Sequence, residues 1–272
     1  MALSEWRPRA SSSGYYWGCS QRASFDRGIK EGVFPETLKE DSPVKPYAAL
    51  GTVIHFQLQS GMRAKFPGPE KDFAPTSDEV TQAASLFGGN VKDMMASAVA
   101  SARLALAQVP KLPEGVYWLA EPTVDGGDYC PPGHIDLIAS DNSIICDLKT
   151  TSRKVTKLKR AALIQLASYC LATGARKARA IYVDSLAASW CTPIDIDFNE
   201  DLEASVLLEM LPKLVGYWRG DTLHDTAYPM ILGDACSDDF CPYVGACRDK
   251  LLPKASSQYT KRSEIVSGGI TL

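Results

Sequence analysis

No apolar run in this 272-residue chain approaches the roughly 20 residues needed to span a bilayer. The opening Met1-Ala2-Leu3-Ser4-Glu5-Trp6-Arg7 lacks the apolar stretch of a secretion signal. A cytoplasmic protein with no membrane partner is therefore expected. There is no Gly-x-x-x-x-Gly-Lys phosphate loop, hence no visible motor, and no internal repeat or low-complexity tract. Net positive charge is also missing: 29 Lys and Arg stand against 32 Asp and Glu, a formal charge of −3. That argues against a surface coated in basic patches, although local charge decides any single contact. A chain of this length can bury one sizeable core, or a core plus a small lobe.

Cysteine, by contrast, is plentiful, with eight residues in a chain expected in a reducing compartment. Cys130, Cys146, Cys170 and Cys191 are scattered through apolar or irregular stretches and read as small buried hydrophobes. Cys236, Cys241 and Cys247 crowd together, which reads as metal ligation. A fourth thiolate is needed, and Cys19 is the best remaining candidate. Four thiolates suit an iron–sulfur cluster or a structural Zn²⁺ equally well.

Two short apolar segments carry most of the chemistry. Gly133-His134-Ile135-Asp136-Leu137-Ile138-Ala139 and Ile144-Ile145-Cys146-Asp147-Leu148-Lys149 flank the turn Ser140-Asp141-Asn142-Ser143. A turn centred on Asp141 and Asn142 sets Asp136 opposite Asp147. Alternation puts Asp147 and Lys149 on one face and Leu148 on the other. Opposed carboxylates with Cβ atoms about 5 Å apart repel by roughly 3 kcal/mol at an effective dielectric near 20. A divalent cation would turn that repulsion into a binding site, and oxygen ligands suit Mg²⁺ or Mn²⁺. A solvent-facing strand side with ordinary surface charges is the other reading of the same residues. From Lys149 onward the chain carries Arg153, Lys154, Lys157, Lys159 and Arg160 with no acid among them, a run suited to phosphate contacts or to a solvated helix start.

Elsewhere the pattern predicts a loose tail over 1–14, a helix from near Ser20 to Ile29, and a helix from Lys45 to Gln59 closed by Ser60-Gly61. Further helices start at Ser77 and run from Val91 to Gln108. Val116–Val124 reads as a first strand carrying Glu121. A helix from Leu158 to Thr173 with Gly174 at its C-cap and a strand from Ala178 to Asp184 follow. Asn199 caps a last helix, interrupted at Pro212 and ending near Gly220. A sheet flanked by helices is an α/β or α+β architecture.

With these elements placed, the chain resembles the PD-(D/E)xK nuclease superfamily, in its RecB-like branch. The match rests on Gly51-x-x-x-His55, Glu121, Gly133-x-Ile-Asp136, Asp147-Leu-Lys149 and Gln165-x-x-x-Tyr169, in that order over about residues 45–185. Cys19 before this core and Cys236, Cys241 and Cys247 after it match the iron–sulfur subgroup, although four residues separate Cys236 from Cys241 where that subgroup usually has two.

The resemblance implies a restriction-endonuclease-like core: a central mixed sheet flanked by helices, with N- and C-terminal segments joined at the cysteine cluster. It implies one nuclease domain over 1–272, with a core of about 45–185 and an iron–sulfur lobe of about 11–30 and 199–250. It implies metal ligation by His55, Asp136, Asp147 and the Leu148 carbonyl, and a 4Fe–4S cluster or structural Zn²⁺ on the cysteines. Lys149 would orient or deprotonate the attacking water. Glu121 could help a second metal or be an exposed strand acid. Gln165 and Tyr169 could contact DNA or position Lys149. His134 falls off the metal face and carries no predicted role, and His224 carries no signal. The implied activity is a Mg²⁺- or Mn²⁺-dependent DNA exonuclease of phage-type recombination or repair, in bacterial or phage-infected host cytoplasm, with a single-strand annealing protein or recombinase as partner. A non-catalytic nucleic-acid clamp and a restriction-type endonuclease are the alternatives.

Overall fold

The computed structural model describes residues 5–18, 20–36, 45–67 and 74–220. The chain divides into two units, Met1–Trp17 with Pro43–Asp221 and Gly18–Ser42 with Thr222–Leu272. Of the second unit, the described part is essentially helix α2 (Ser20–Lys30) and the turn after it, where the Phe25 and Phe34 rings stand 5.8 Å apart. Cys19, Cys236, Cys241, Cys247 and His224 lie outside the described residues.

In the main unit the Asp141-Asn142 turn fixes the central hairpin. The Asn142 N–H donates to Ala139 O at 2.8 Å, and the Ser143 N–H donates to Asp141 Oδ1 at 3.0 Å. Asn142 sits at φ 59°, a left-handed position that Asn tolerates. Strands β4 (Leu137–Ala139) and β5 (Ile144–Thr151) therefore pair antiparallel in the predicted register, Leu137 opposite Cys146 and Ile138 opposite Ile145. Helix α6 (Arg160–Thr173), closed by Gly174 at φ 79°, carries the chain to β6 (Lys177–Asp184), which pairs parallel with β5. Strand β7 (Cys191–Asp197) adds antiparallel to β6, and β1 (Trp118–Ala120) antiparallel to β4. The result is a mixed five-stranded sheet in the order β1–β4–β5–β6–β7, flanked by helices: an α/β fold.

Strand alternation sorts the two faces. Leu137, Ala139, Cys146, Leu148, Ile181 and Val183 are buried in one core with helices α3 (Pro46–Arg63), α4 (Ser77–Ser85) and α5 (Val91–Leu106). Asp147 and Lys149 point to the other face, which α6 covers. Helix α7 (Leu202–Gly220) packs on α6.

Several elements differ from the sequence reading for identifiable reasons. Helix α1 (Ala10–Gly18) stands where the pattern predicts a loose tail, its start tied by the Ala10 N–H to Pro132 O at 2.9 Å. Helix α3 runs past Ser60-Gly61 because Met62 is buried and Arg63 reaches Glu121. The first strand breaks at Glu121, which adopts φ 54°; the chain resumes as β2 (Thr123–Val124), paired with β3 (Gly133–His134). Helix α7 is continuous through Pro212, held by the buried stripe Leu207, Leu211, Val215 and Trp218. Its cap is Asp201, whose Oδ1 accepts the Ala204 N–H at 2.9 Å, and not Asn199. Strand β7 has no counterpart in the sequence reading.

Cys130, Cys146 and Cys170 are buried and Cys191 half-buried, as small hydrophobes. Burial pushes the Cys130 thiol up to about 11 and the Cys170 thiol up to about 12. Among the described residues, no helix is long and apolar enough to cross a membrane.

Gly133 is required by a close approach. A Cβ there would stand 2.8 Å from Tyr169 Cε1 and 2.9 Å from Ala10 Cβ. Gly133→Ala is expected to cost about 1–3 kcal/mol by overpacking, measured as a lower denaturant midpoint; an unchanged midpoint contradicts this packing.

Candidate active site

The β4–β5 ladder ends at Leu137 and Cys146, and one further step in register sets Asp136 against Asp147. There the Leu148 N–H donates to the Asp136 carboxylate Oδ2 at 2.6 Å. The Asp136 backbone carbonyl accepts the Glu121 N–H at 3.0 Å. Asp136 is half-buried, while Asp147 is 2% exposed. Burial, and next the charge of Asp147, raise the Asp136 carboxyl well above the usual carboxylate range; the Leu148 N–H and Lys149 pull it partly back.

Lys149 Nζ lies 2.8 Å from Asp147 Oδ2. At that separation the two form a tight, charge-assisted pair. The ammonium also donates to Gln165 Oε1 at 2.7 Å. Gln165 Nε2 donates to the Tyr169 hydroxyl at 2.7 Å, and that hydroxyl donates to the His134 carbonyl at 2.7 Å. Gln165 and Tyr169 lie one turn apart on α6, so a single helix face aims both at the lysine. Burial lowers the Lys149 ammonium most, but the charge of Asp147, the hydrogen bond to it and the charge of Asp136 together outweigh that, so the group is held above its usual value.

His55 enters from α3. A Cβ on Gly51 would stand 3.0 Å from Thr150 Oγ1, so the glycine lets α3 lie close to β5 one turn before the histidine. Desolvation, then the charge of Lys149, lower His55 to about 4 against the opposing pull of Asp147, leaving a neutral imidazole at neutral pH. A cleft of about 880 Å³ brings together Gly51, His55, Glu121, His134, Asp136 and Thr150 in its lining. Glu121 is not an exposed strand acid: it is 4% exposed, just past β1, and paired with Arg63 at 3.1 Å. Its positive φ is a strained conformation for a non-glycine residue.

The basic run lies in the loop from β5 into α6. Arg153, Lys154, Lys157, Lys159 and Arg160 are exposed. The loop is pinned by buried Val155 and by the Lys159 N–H to the Tyr182 hydroxyl at 3.4 Å. Arg160 is engaged by Glu203 at 3.0 Å, so its charge is partly spoken for.

Two members of the site are absent from the sequence reading. Gln59 and Arg63 follow His55 at four-residue steps on α3, the helical signal that could have found them. Gln59 lines the cleft with a buried, unpartnered Oε1. His134 also gains a place, through its carbonyl and in the cleft wall.

The two carboxylates that the register sets together, Asp136 and Asp147, offer the oxygen donors that a hard divalent cation takes. Among the described residues, no three His, Cys, Asp or Glu side chains already stand close enough to ligate one.

No family model and no curated protein matches this chain. Among solved structures it is similar to one titled "Crystal structure of SSO0001", at 17% identity over 86% of this chain and 98% of that one, with a TM-score of 0.33.

Asp136 gives a pH test. An acid raised in the folded state contributes stability that is fully present below its unfolded pKa, about 3.9, and lost as pH rises through the folded value. His55, lowered on folding, acts in the opposite sense, so the informative quantity is the difference between variants. In metal-free melts, Asp136→Asn should gain on wild type as pH rises from about 4 to about 7 and hold that gain above it. A difference that is flat or shrinks over that range contradicts the assignment.

The relay gives a second test. Tyr169→Phe leaves the His134 carbonyl without its donor and Gln165 Nε2 without its acceptor, at an expected cost of about 1–3 kcal/mol. Chemical denaturation measures it, and no loss would show that the relay does not bear on the fold.

Proposed function

We propose that this chain is a divalent-metal-dependent deoxyribonuclease of the RecB-like PD-(D/E)xK kind, an exonuclease acting on DNA ends or single strands in recombination or repair. The observation that carries the proposal is the pair of carboxylates that the hairpin register sets against each other, beside a lysine steered by Gln165 and Tyr169.

Asp136 and Asp147 would hold the cation, with neutral His55 as a nitrogen donor. The Leu148 carbonyl would contribute from the same strand edge as its N–H, since both groups of a strand residue point to one side. Bound there, the metal supplies Lewis-acid chemistry: a lowered water pKa and a clamp on phosphate oxygens.

The chain's own groups supply the rest. Lys149 keeps its proton, so its role is to present fixed positive charge to the phosphate as negative charge builds, rather than to deprotonate water. Gln165 and Tyr169 act through Lys149 as positioning residues. Arg153, Lys154, Lys157 and Lys159 contact strand phosphates, and Arg160 contributes less because of Glu203. Glu121, locked to Arg63, helps shape the cleft next to Asp136.

Purified protein with Mn²⁺ or Mg²⁺ should degrade end-labelled linear DNA and leave closed circular DNA intact. Asp147→Asn and Lys149→Ala should each lower the rate by at least about 100-fold with folding retained. Nicked circles would point to an endonuclease, binding without cleavage to a clamp, and full activity in both variants would overturn the site. The cysteines belong to the same proposal. Protein purified anaerobically should be brown and contain iron and sulfide, whereas a colourless zinc protein would overturn the cluster.

A further inference from the structure

The carboxylate cleft does not end at Asp136. A second pocket of about 390 Å³ adjoins it, and the two share Ser11 and His134 in their walls. Their chemistry differs. Glu121 and Asp136 line the cleft, whereas no acid lines the second pocket, whose charged member is Arg9. Gly133, Gln165 and Tyr169 form its floor, so it lies against the residues that steer Lys149.

Arg9 is well placed to take an anion. Neighbouring arginines are already engaged: Arg7 forks onto Asp125 at 2.5 and 2.6 Å, and Arg219 holds Asp128. Arg9 has no acidic partner among the described residues, and its side chain is exposed. Its backbone is nonetheless fixed. The Arg9 carbonyl accepts the Ser12 and Ser13 N–H groups at 2.9 and 3.0 Å, and the next residue is tied to Pro132. A cation on a fixed backbone, at an acid-free pocket continuous with a phosphate-cleaving cleft, suits a second phosphate of the same strand.

We infer that this pocket is a phosphate subsite, with Arg9 pairing to a phosphate adjacent to the scissile one. The inference rests on the nuclease reading for what occupies the cleft, and it narrows the substrate class. The chain would engage a polynucleotide strand across consecutive phosphates rather than an isolated phosphodiester.

Salt-dependent binding tests this without catalysis. Fluorescence anisotropy with a labelled single-stranded oligodeoxynucleotide, full-length chain and chelator gives affinity across a salt series. Losing one phosphate contact on a single strand lowers the slope of log K against log salt by about 0.7. Arg9→Ala should show that loss with about a fivefold weaker affinity at low salt, and Arg9→Lys should restore the slope. Circular dichroism and melting confirm that both variants fold. Unchanged slope and affinity in Arg9→Ala overturn the subsite, as does failure of wild type to bind the strand. The nuclease reading is decided separately: an Arg9-dependent slope in a protein that never cuts DNA keeps the subsite and removes the enzyme. Cutting with an Arg9-independent slope does the reverse.

Discussion

Asp136 and Asp147 face each other where β4 stops and β5 continues, and the charged groups around them are arranged in response. In water the pair would cost little. Beside a closed core, like charges at that separation repel by about 3 kcal/mol, a sizeable part of a domain's net stability of about 5–15 kcal/mol. The fold relieves this only in part. The Leu148 N–H donates to one carboxylate, and Lys149 pairs with the other at 2.8 Å, one cation against two acids. The remaining deficit of positive charge is the physical basis for expecting a cation.

The surrounding layers are organised around that edge. One face of β5 is buried under α3, α4 and α5, so Asp147 and Lys149 can point only toward α6. Gln165 and Tyr169 then fix the lysine through a chain that ends on the His134 carbonyl, in the strand segment leading to Asp136. Gly133 leaves room for Tyr169, and Gly51 lets α3 lie close to Thr150 of β5. The glycines of the two sequence motifs are thus explained by packing, independently of any chemistry.

How much was legible in the sequence depended on the range of the interaction. The hairpin register followed from a two-residue turn and a period of two, both local, and the sheet reproduces it. The Gly174 cap and the start of α4 were local signals too. What escaped was set at long range. Strand β7 carries Pro193 and alternates Ile194 and Ile196 with acids, a pattern that reads as loop until β6 supplies its partner. Helix α1 is rich in serine and held by Pro132, and α7 survives Pro212 because its apolar stripe is buried. Glu121 lines the cleft just past β1, but its left-handed backbone and its Arg63 partner follow from the bend between β1 and β2, which no local pattern announces.

The central claim is that a divalent cation completes the Asp136–Asp147 edge. Electron paramagnetic resonance of free Mn²⁺, titrated with the full-length chain, tests it most directly because it counts bound metal without requiring activity. One Mn²⁺ should bind per wild-type chain, be displaced by Mg²⁺ and be lost in folded Asp147→Asn. Binding that is absent from wild type, or undiminished in Asp147→Asn, would contradict it.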